Sequence, residues 1–517
     1  MAKLLLIRKG AYFDSVFLMQ VARQIADQPG VYDASAVMGT EPNCRQLASM
    51  GYDSRELAAA GANDLVIAVE GEEAAAKAVL LDADRWLHRG TVGSDNARLN
   101  LEEALARQAD ASLVVISVPG DYAAAEARKG LASGLNVFLF SSNVSVEEEL
   151  ALKRDASAKG LIVMGPDCGT ALISGAGIGF ANAVRRGPIG AVGGTGTGMQ
   201  EFTCLVHRAG SGISHGIGTG SRDLSDKIGG LSTLTALDAM EMDSQTKVIV
   251  LLSKPPGTAT TRRLVERLER SGKPIIACLL GSESKSLTPS GDAKIRTAAT
   301  IDQAASLALA AVGMVAPAFL RADSNAMRSS AVSEAKKMAG GQRYIRGLFA
   351  GGTFCYQSQT IFRDGGLTVH SNSPLEGMRE LTDPAQSKEH SLVDMGAETF
   401  VAGRPHPMID PTLRRQRILR EAADPEVALL LLDFILGAIS SADPVGDLLG
   451  AIGAAKEQAQ RHGRNLCVAA SVCGTEEDEQ RLDQQVARLE SAGVLVFPTN
   501  AQAALFSREL ALQMRPS

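Results

Sequence analysis

Aromatic residues make up only 4% of the 517-residue chain, with a single Trp, so the core cannot be built around large rings. No long uncharged apolar run occurs, which argues against a membrane span. No basic tract occurs either, and the net charge is −6, so the concentrated positive surface that nucleic acid or an anionic membrane requires is missing. The seven cysteines (44, 168, 204, 278, 355, 467 and 473) form no CxxC pair and no regular ladder, and no metal-ligand spacing is seen. Charged residues interrupt the opening MAKLLLIRKGAYFDSV where a signal peptide would be apolar. Reduced thiols, a cytoplasmic address and small-molecule partners are expected.

What the chain has instead is glycine, 52 residues of it, and short Val/Ile/Leu runs that alternate with amphipathic stretches of ten to fifteen residues. That alternation is the mark of βαβ units around buried parallel strands, so the fold class is α/β. The length suggests roughly three to four domains. Residues 1–97 form a first α/β block, with strands expected at 3–9, 34–38 and 65–69. Residues 98–186 have Rossmann-like spacing, with strands near 113–118, 137–140 and 161–164. A third block spans 187–315, residues 316–342 read as a linker without strand pattern, and a fourth block spans 343–517. The third and fourth blocks echo each other in the order strand, glycine–threonine turn, helix, which suggests duplication or a paired domain.

The sharpest motif is Gly190-Ala-Val-Gly-Gly-Thr-Gly-Thr-Gly198, an apolar strand that breaks into glycine and threonine and then starts a helix at Met199. Glycines let the backbone approach a ligand, and helix-start N–H groups with the hydroxyls of Thr195 and Thr197 favour an anion. Gly194, Thr195, Gly196, Thr197 and Gly198 are therefore candidate phosphate or carboxylate ligands, although a plain tight turn explains the same pattern. The motif is neither a dinucleotide fingerprint nor a Walker loop. Gly351, Gly352 and Thr353 open the fourth block in the same way. In LIVMGPDCGT, Asp167 and Cys168 follow the carboxyl end of a strand, where open α/β sheets put ligands. A turn or binding-loop role outweighs a nucleophilic Cys168, since no histidine is near it in sequence. His215 and Gly218, in SHGIGTGSRD, belong to a strand exit, where His215 either meets an anion or satisfies a carbonyl; Arg222 and Asp223 could pair at a helix start. In Gly403-Arg-Pro-His-Pro-Met-Ile-Asp-Pro411, prolines stiffen a segment holding Arg404, His406 and Asp410. Arg404 and His406 are catalytic candidates, whereas Asp410 is equally a helix N-cap.

These motifs, together with LLSKPPG and GLFAGGT, resemble the FdrA family, a branch of the succinyl-CoA synthetase superfamily, along essentially the whole chain. The resemblance implies a CoA-binding-like Rossmann block followed by two flavodoxin-like ligase blocks. Two departures stand out. The synthetases carry a phosphohistidine on the loop that matches Gly281-Ser-Glu-Ser-Lys-Ser, and no histidine occurs between His215 and His370. The glutamate that would hold that histidine matches Lys254, a cation suited to an anion site. No ATP-grasp domain precedes the fourth block.

The resemblance implies carbamoyl transfer between carbamoyl phosphate and oxamate, in purine (allantoin) nitrogen catabolism, beside companion subunits. An anion-lined site without a phosphate shuttle fits such an exchange. An ADP-forming acyl-CoA synthetase component and a non-catalytic metabolite-binding scaffold are the alternatives. No resident cofactor or metal is expected; CoA, phosphate or carbamoyl phosphate would enter as substrate, with a small carboxylate or amide. An oligomer with partner subunits is expected, and no nucleic-acid or membrane partner.

Overall fold

The computed structural model describes residues 2–87 apart from 12 and 14, and residues 100–281, 294–401 and 405–514. Four sheets follow one another along the chain. The first is small: β1 (Ala2–Arg8), β2 (Val31–Met38) and β3 (Leu65–Gly71) lie in the order β1-β3-β2. Both of its pairings are antiparallel, which differs from the parallel βαβ pattern expected along nearly the whole chain. β1 and β2 both run opposite to β3, which lies between them: the connection through the helix at 15–26 is a crossover between strands of like direction, and the one through the helix at 41–49 reverses the chain. The helix at 15–26 also ties this unit to the last sheet, because the Arg23 guanidinium pairs with Asp447 at 2.8 Å.

The second sheet is parallel, with β4 (Leu113–Ile116), β5 (Asn136–Leu139) and β6 (Val163–Met164) joined by helices at 120–132 and 146–158. The 146–158 helix is fastened to the next sheet by a buried charge cluster. Lys153 Nζ lies 2.8 Å from Glu149 Oε1 and 2.8 Å from Asp223 Oδ1, and donates to the Thr219 carbonyl at 2.8 Å.

The third sheet begins with an antiparallel hairpin, β7 (Thr170–Ile173) and β8 (Ala176–Gly179), that sequence periodicity did not indicate. It pairs with the sheet that follows residue 187 and so crosses the expected division there. The parallel strands are β9 (Arg186–Gly193), β10 (Ile213–Gly218), β11 (Val248–Ser253), β12 (Ile275–Leu279) and β13 (Ile295–Ala298). Their spatial order is β10-β9-β11-β12-β13. The apolar Val248–Leu252 run of β11 is buried on both faces, as helices on each side of a parallel sheet demand.

Residues 316–342, expected as a linker, contain a helix at 324–335 whose Ala331 is wholly buried in the core of the last sheet. Small residues let that helix pack closely, and its composition hid it. The fourth sheet consists of β14 (Tyr344–Phe349), β15 (His370–Ser371), β16 (Arg379–Glu380), β17 (Ser391–Asp394), β18 (Val427–Ile435), β19 (Cys467–Cys473) and β20 (Leu495–Phe497). Its order is β16-β15-β17-β14-β18-β19-β20, parallel throughout. Setting aside β7, β8, β15 and β16, both large sheets have the flavodoxin-like order 2-1-3-4-5. The switch point of such a sheet, where ligands bind, lies at the carboxyl ends of strands one and three. Those are β9 and β11 in one sheet, and β14 and β18 in the other.

Candidate functional site

The two switch points face each other. In the third sheet the chain leaves β9 through Gly193 and Gly194 and enters the 196–208 helix, with Thr195 as its N-cap. Gly193 is required there because a methyl group would come within 1.6 Å of the Leu252 carbonyl oxygen. In the fourth sheet β14 leads through Ala350 to Gly351, the N-cap of the 352–364 helix. The hydroxyls of Thr195 and Thr353 hydrogen-bond to each other across the junction. A methyl on Gly198 would lie 3.0 Å from Thr353 Cγ2, and one on Gly351 would lie 3.1 Å from Thr197 Oγ1. Two helix N-termini, each a source of unpaired N–H groups and positive potential, therefore meet at one place.

Charged groups surround that meeting point. Asp433, wholly buried on β18, accepts hydrogen bonds from Ala350 N (2.8 Å) and Gly351 N (2.7 Å) and from the Arg414 guanidinium (2.8 Å). Asp394, at the end of β17, accepts from Gly396 N at 2.9 Å, and its other oxygen would sit 2.6 Å from a methyl on Gly352. Burial pushes Asp394 up to about 6, with Lys254 pulling the other way. Lys254 follows β11 and reaches over the ring of Tyr356 on the opposing helix, 5.0 Å from its centre.

His406 joins this junction, its ring 5.9 Å from that of Phe180, which precedes β9. A methyl on Gly396 would lie 2.7 Å from His406 Nε2 and 3.3 Å from Asp394 Oδ1. Burial, reinforced by Arg414, pushes the imidazole down to about 4, and Met408 N donates to Nδ1 at 3.3 Å. The ring is neutral near pH 7 and its acceptor nitrogen Nδ1 is occupied by the Met408 N–H, so the expectation of His406 as a general acid or base gives way to a hydrogen-bonding role for Nε2. Arg404, the other catalytic candidate, lies outside the described residues, as do residues 282–286 of the loop after Gly281.

Several other candidates are placed elsewhere or occupied. Asp410 accepts from Thr412 N (2.9 Å) and Thr412 Oγ1 (2.6 Å), so it caps the helix at 412–423. His215 lies within β10, accepts from Ser174 N at 3.3 Å and approaches Asp243 at 3.6 Å, remote from the strand exit. Its expected place in the anion site is corrected by that pairing. Cys168 is buried, its thiol directed at the Thr170 carbonyl, and desolvation pushes it up to about 12, which leaves it protonated and unreactive. Gly218 is a packing position, since a methyl there would meet Cys168 Sγ at 2.5 Å. Asp167 sits at the rim, accepting from Ser221 Oγ at 3.4 Å in the loop that abuts Gly194. Asp223 does serve a helix start: it accepts from Ser232 N and Thr233 N at the head of the 231–242 helix.

Sequence reasoning missed Asp394, Asp433 and Thr170. The available signal for Asp394 was Ser391-Leu-Val-Asp-Met-Gly-Ala397, a short apolar run that ends in a carboxylate and a glycine.

Residues 1–127 match the family described as AllF, heavy metal-associated domain, and residues 348–510 match the CoA-ligase family. The uncharacterized protein YahF of Escherichia coli (strain K12) is 41% identical over 509 residues, covering 98% of each chain. The chain belongs to the FdrA family. The alpha subunit of succinate–CoA ligase (ADP-forming) from Methanothermobacter thermautotrophicus is 27% identical over 186 residues, which cover 35% of this chain and 62% of that protein. Among solved structures, the dinucleotide-forming acetyl-coenzyme A synthetase 1 of Ca. Korarchaeum cryptofilum aligns over 77% of this chain and 82% of that one, at 18% identity and a TM-score of 0.29. The CoA-ligase match over residues 348–510 and the succinate–CoA ligase relative show that the FdrA-family chain includes a CoA-ligase-like α/β scaffold. The metal in the name of the 1–127 match does not fit its residues: Cys44 and His88 are the only cysteine and histidine there. Among the described residues no cluster of three His, Cys, Asp or Glu side chains is arranged to hold a metal ion. No helix among them is long and apolar enough to cross a membrane.

Proposed function

We propose that this chain is a subunit of a carbamoyltransferase that exchanges a carbamoyl group between carbamoyl phosphate and oxamate, the phosphorolysis of oxalurate in purine (allantoin) nitrogen catabolism. The observation that carries the reading is the meeting of two glycine–threonine helix starts beside Lys254. Such a site suits a phosphate group and the oxyanion of a tetrahedral intermediate, because backbone donors fixed in advance cost no reorganisation during reaction. It supplies no phosphate shuttle: Lys254 stands where the synthetases carry a glutamate, and no histidine occurs between His215 and His370. The phosphate then leaves or attacks directly.

The chemistry required is modest. The oxamate nitrogen attacks the carbamoyl carbon, the carbon–oxygen bond to phosphate breaks, and a proton travels from nitrogen to the departing phosphate. His406 Nε2 is suited to hold a carbonyl or amide oxygen as a neutral donor.

A second reading, an ADP-forming acyl-CoA ligase component, is favoured by the CoA-ligase match over residues 348–510. Purifying the chain alone and with its genomic neighbours separates the two. Carbamoyl phosphate formed from oxalurate and phosphate, only in the complex and without CoA, is the expected result. Acyl-CoA formation that depends on ATP and CoA, or a stoichiometric base-stable phosphohistidine after incubation with labelled ATP, would overturn it. A complex whose activity ignores every substitution at the junction would make this chain a scaffold.

A further inference from the structure

The two helix starts look alike in sequence and differ in what faces them. On the third-sheet side, the residue one step beyond the paired Val192 and Leu251 is Leu252, which offers no side-chain acceptor to the Gly194 turn. At the matching step beyond Leu348 and Leu432, the fourth sheet has Asp433. Its carboxylate already takes the N–H groups of Ala350 and Gly351. The second carboxylate, Asp394, presses on the first helical residue, Gly352. An incoming anion therefore meets two buried carboxylates at the fourth-sheet turn, whereas the third-sheet turn has the exposed Asp167 at its rim.

A second feature marks the third-sheet turn as a place for a ligand. Thr170, at the start of β7, is 2% exposed, and its hydroxyl has no hydrogen-bond partner. That hydroxyl lies 3.8 Å from where a methyl on Gly196 would sit, beside the first residue of the 196–208 helix. A buried hydroxyl left unpaired costs free energy, and an oxyanion at the helix start would satisfy it. Lys254, from the neighbouring strand exit, adds positive charge near Asp394 and over the Tyr356 ring.

We propose that the junction is polar: the Gly194–Gly196 turn with Thr170 holds the phosphoryl end of the substrate, and Asp394 takes the proton from the attacking amide nitrogen. The role of Asp394 rests on the carbamoyl exchange argued above; the anion preference of the Gly194 turn does not. In that step the new carbon–nitrogen bond forms, the carbon–oxygen bond to phosphate breaks, and the proton that Asp394 removes from nitrogen passes to the leaving phosphate oxygen. Carbamoyl phosphate dianion and oxamate thus give oxalurate and hydrogen phosphate, with charge and atoms conserved. The substrates this orientation admits are an acyl or carbamoyl phosphate and an uncharged amide or amine nitrogen.

Sulfate tests the anion half without any turnover, since it is a tetrahedral dianion that does not titrate between about pH 5 and 8. Calorimetry of the full-length chain with sulfate should show binding that Thr170→Val weakens at least about fivefold and that Asp394→Asn leaves equal or tighter. In the assembled complex Asp394→Asn should lower kcat by about a hundredfold or more, with Asp394→Glu recovering part of it. Sulfate binding unchanged by Thr170→Val, or lost in a folded Asp394→Asn protein, would overturn the assignment. Should Asp394→Asn fail to fold, Asp394→Ser carries the same comparison. A complex inactive with carbamoyl phosphate and oxamate but keeping the sulfate pattern would sink the reaction and leave the anion site standing.

Discussion

Thr195 and Thr353, on the two helix starts that end β9 and β14, hydrogen-bond to each other across the junction of two sheets 158 residues apart in sequence. That bond ties the threonines to glycines with different tolerances. Gly193→Ala would drive a methyl into the Leu252 carbonyl, so it should cost several kcal/mol or prevent folding. Gly196 has only Thr170 Oγ1 nearby, at 3.8 Å, so Gly196→Ala should fold normally. The bulkier Gly196→Val should fold but lose stabilisation by inorganic phosphate, read as a missing thermal shift. Equal phosphate shifts in Gly196→Val and the parent would remove the turn from the site.

The junction has a rough twofold symmetry that places Glu201 opposite Gln357. Glu201 Oε1 accepts from Asn500 N at 3.0 Å, while Gln357 Oε1 accepts from Ile301 N at 2.9 Å, each residue capping the last helix of the other sheet. Burial pushes Glu201 up to about 8, with Asp302 adding to the rise. A carboxyl whose pKa is raised in the folded state lends stability that is complete below its unfolded pKa and lost as pH rises toward 8. Glu201→Gln copies the opposite side and removes that loss. It should raise stability on the order of 3 kcal/mol at pH 7.5, and far less at pH 4.5, in urea titrations at both pH values. A pH-independent effect would show that Glu201 is already ionised.

Lys153 is the single cation between Glu149 Oε1 and Asp223 Oδ1, with all three side chains out of contact with solvent. Arg222 reaches only the other oxygen of Glu149, at 2.9 Å. Lys153→Met keeps the volume and leaves two buried carboxylates facing each other, so a loss of about 3–5 kcal/mol is expected. Denaturant unfolding measures it, and a loss below about 1 kcal/mol would show that the fold does not depend on Lys153 to hold the two carboxyl groups together.

Strand–turn–helix units are written locally, which is why the β9 turn and its echo at Gly351 can be read from apolar runs that stop at glycine and threonine. The same reading could not see that β3 runs antiparallel to both β1 and β2, since pairing direction depends on the path between strands rather than on their residues. It also could not sort the candidates. His406 and Asp410 sit four residues apart in one rigid segment, yet one meets Asp394 and Gly396 and the other caps a helix. Thr170, Asp394 and Asp433 become a group only when segments more than 200 residues apart come together. What marks them is the hydrogen bonds they make or lack, and those are properties of the assembled core.

His406 is the candidate whose chemistry the fold changes most, and its titration can be followed directly. In the unfolded chain its pKa is near 6.5; burial beside Arg414 lowers it to about 4 in the folded protein. The folded state therefore binds fewer protons than the unfolded state between those values. Its contribution to stability is fully present above about pH 6.5 and is lost progressively as pH falls to about 4. His406→Gln should remove this acid sensitivity, worth on the order of 2 kcal/mol at pH 4.5, while leaving stability at pH 7.5 nearly unchanged. With Nδ1 occupied by the Met408 N–H, the neutral ring carries its hydrogen on Nε2, and a glutamine amide can replace that donor in part. The variant in its complex should then lose about tenfold in kcat with no change in the shape of the pH–rate profile between about pH 5.5 and 8. Imidazole resonances of the parent chain decide the matter: a His406 signal that titrates near pH 6.5 would restore the acid–base role and withdraw the neutral donor.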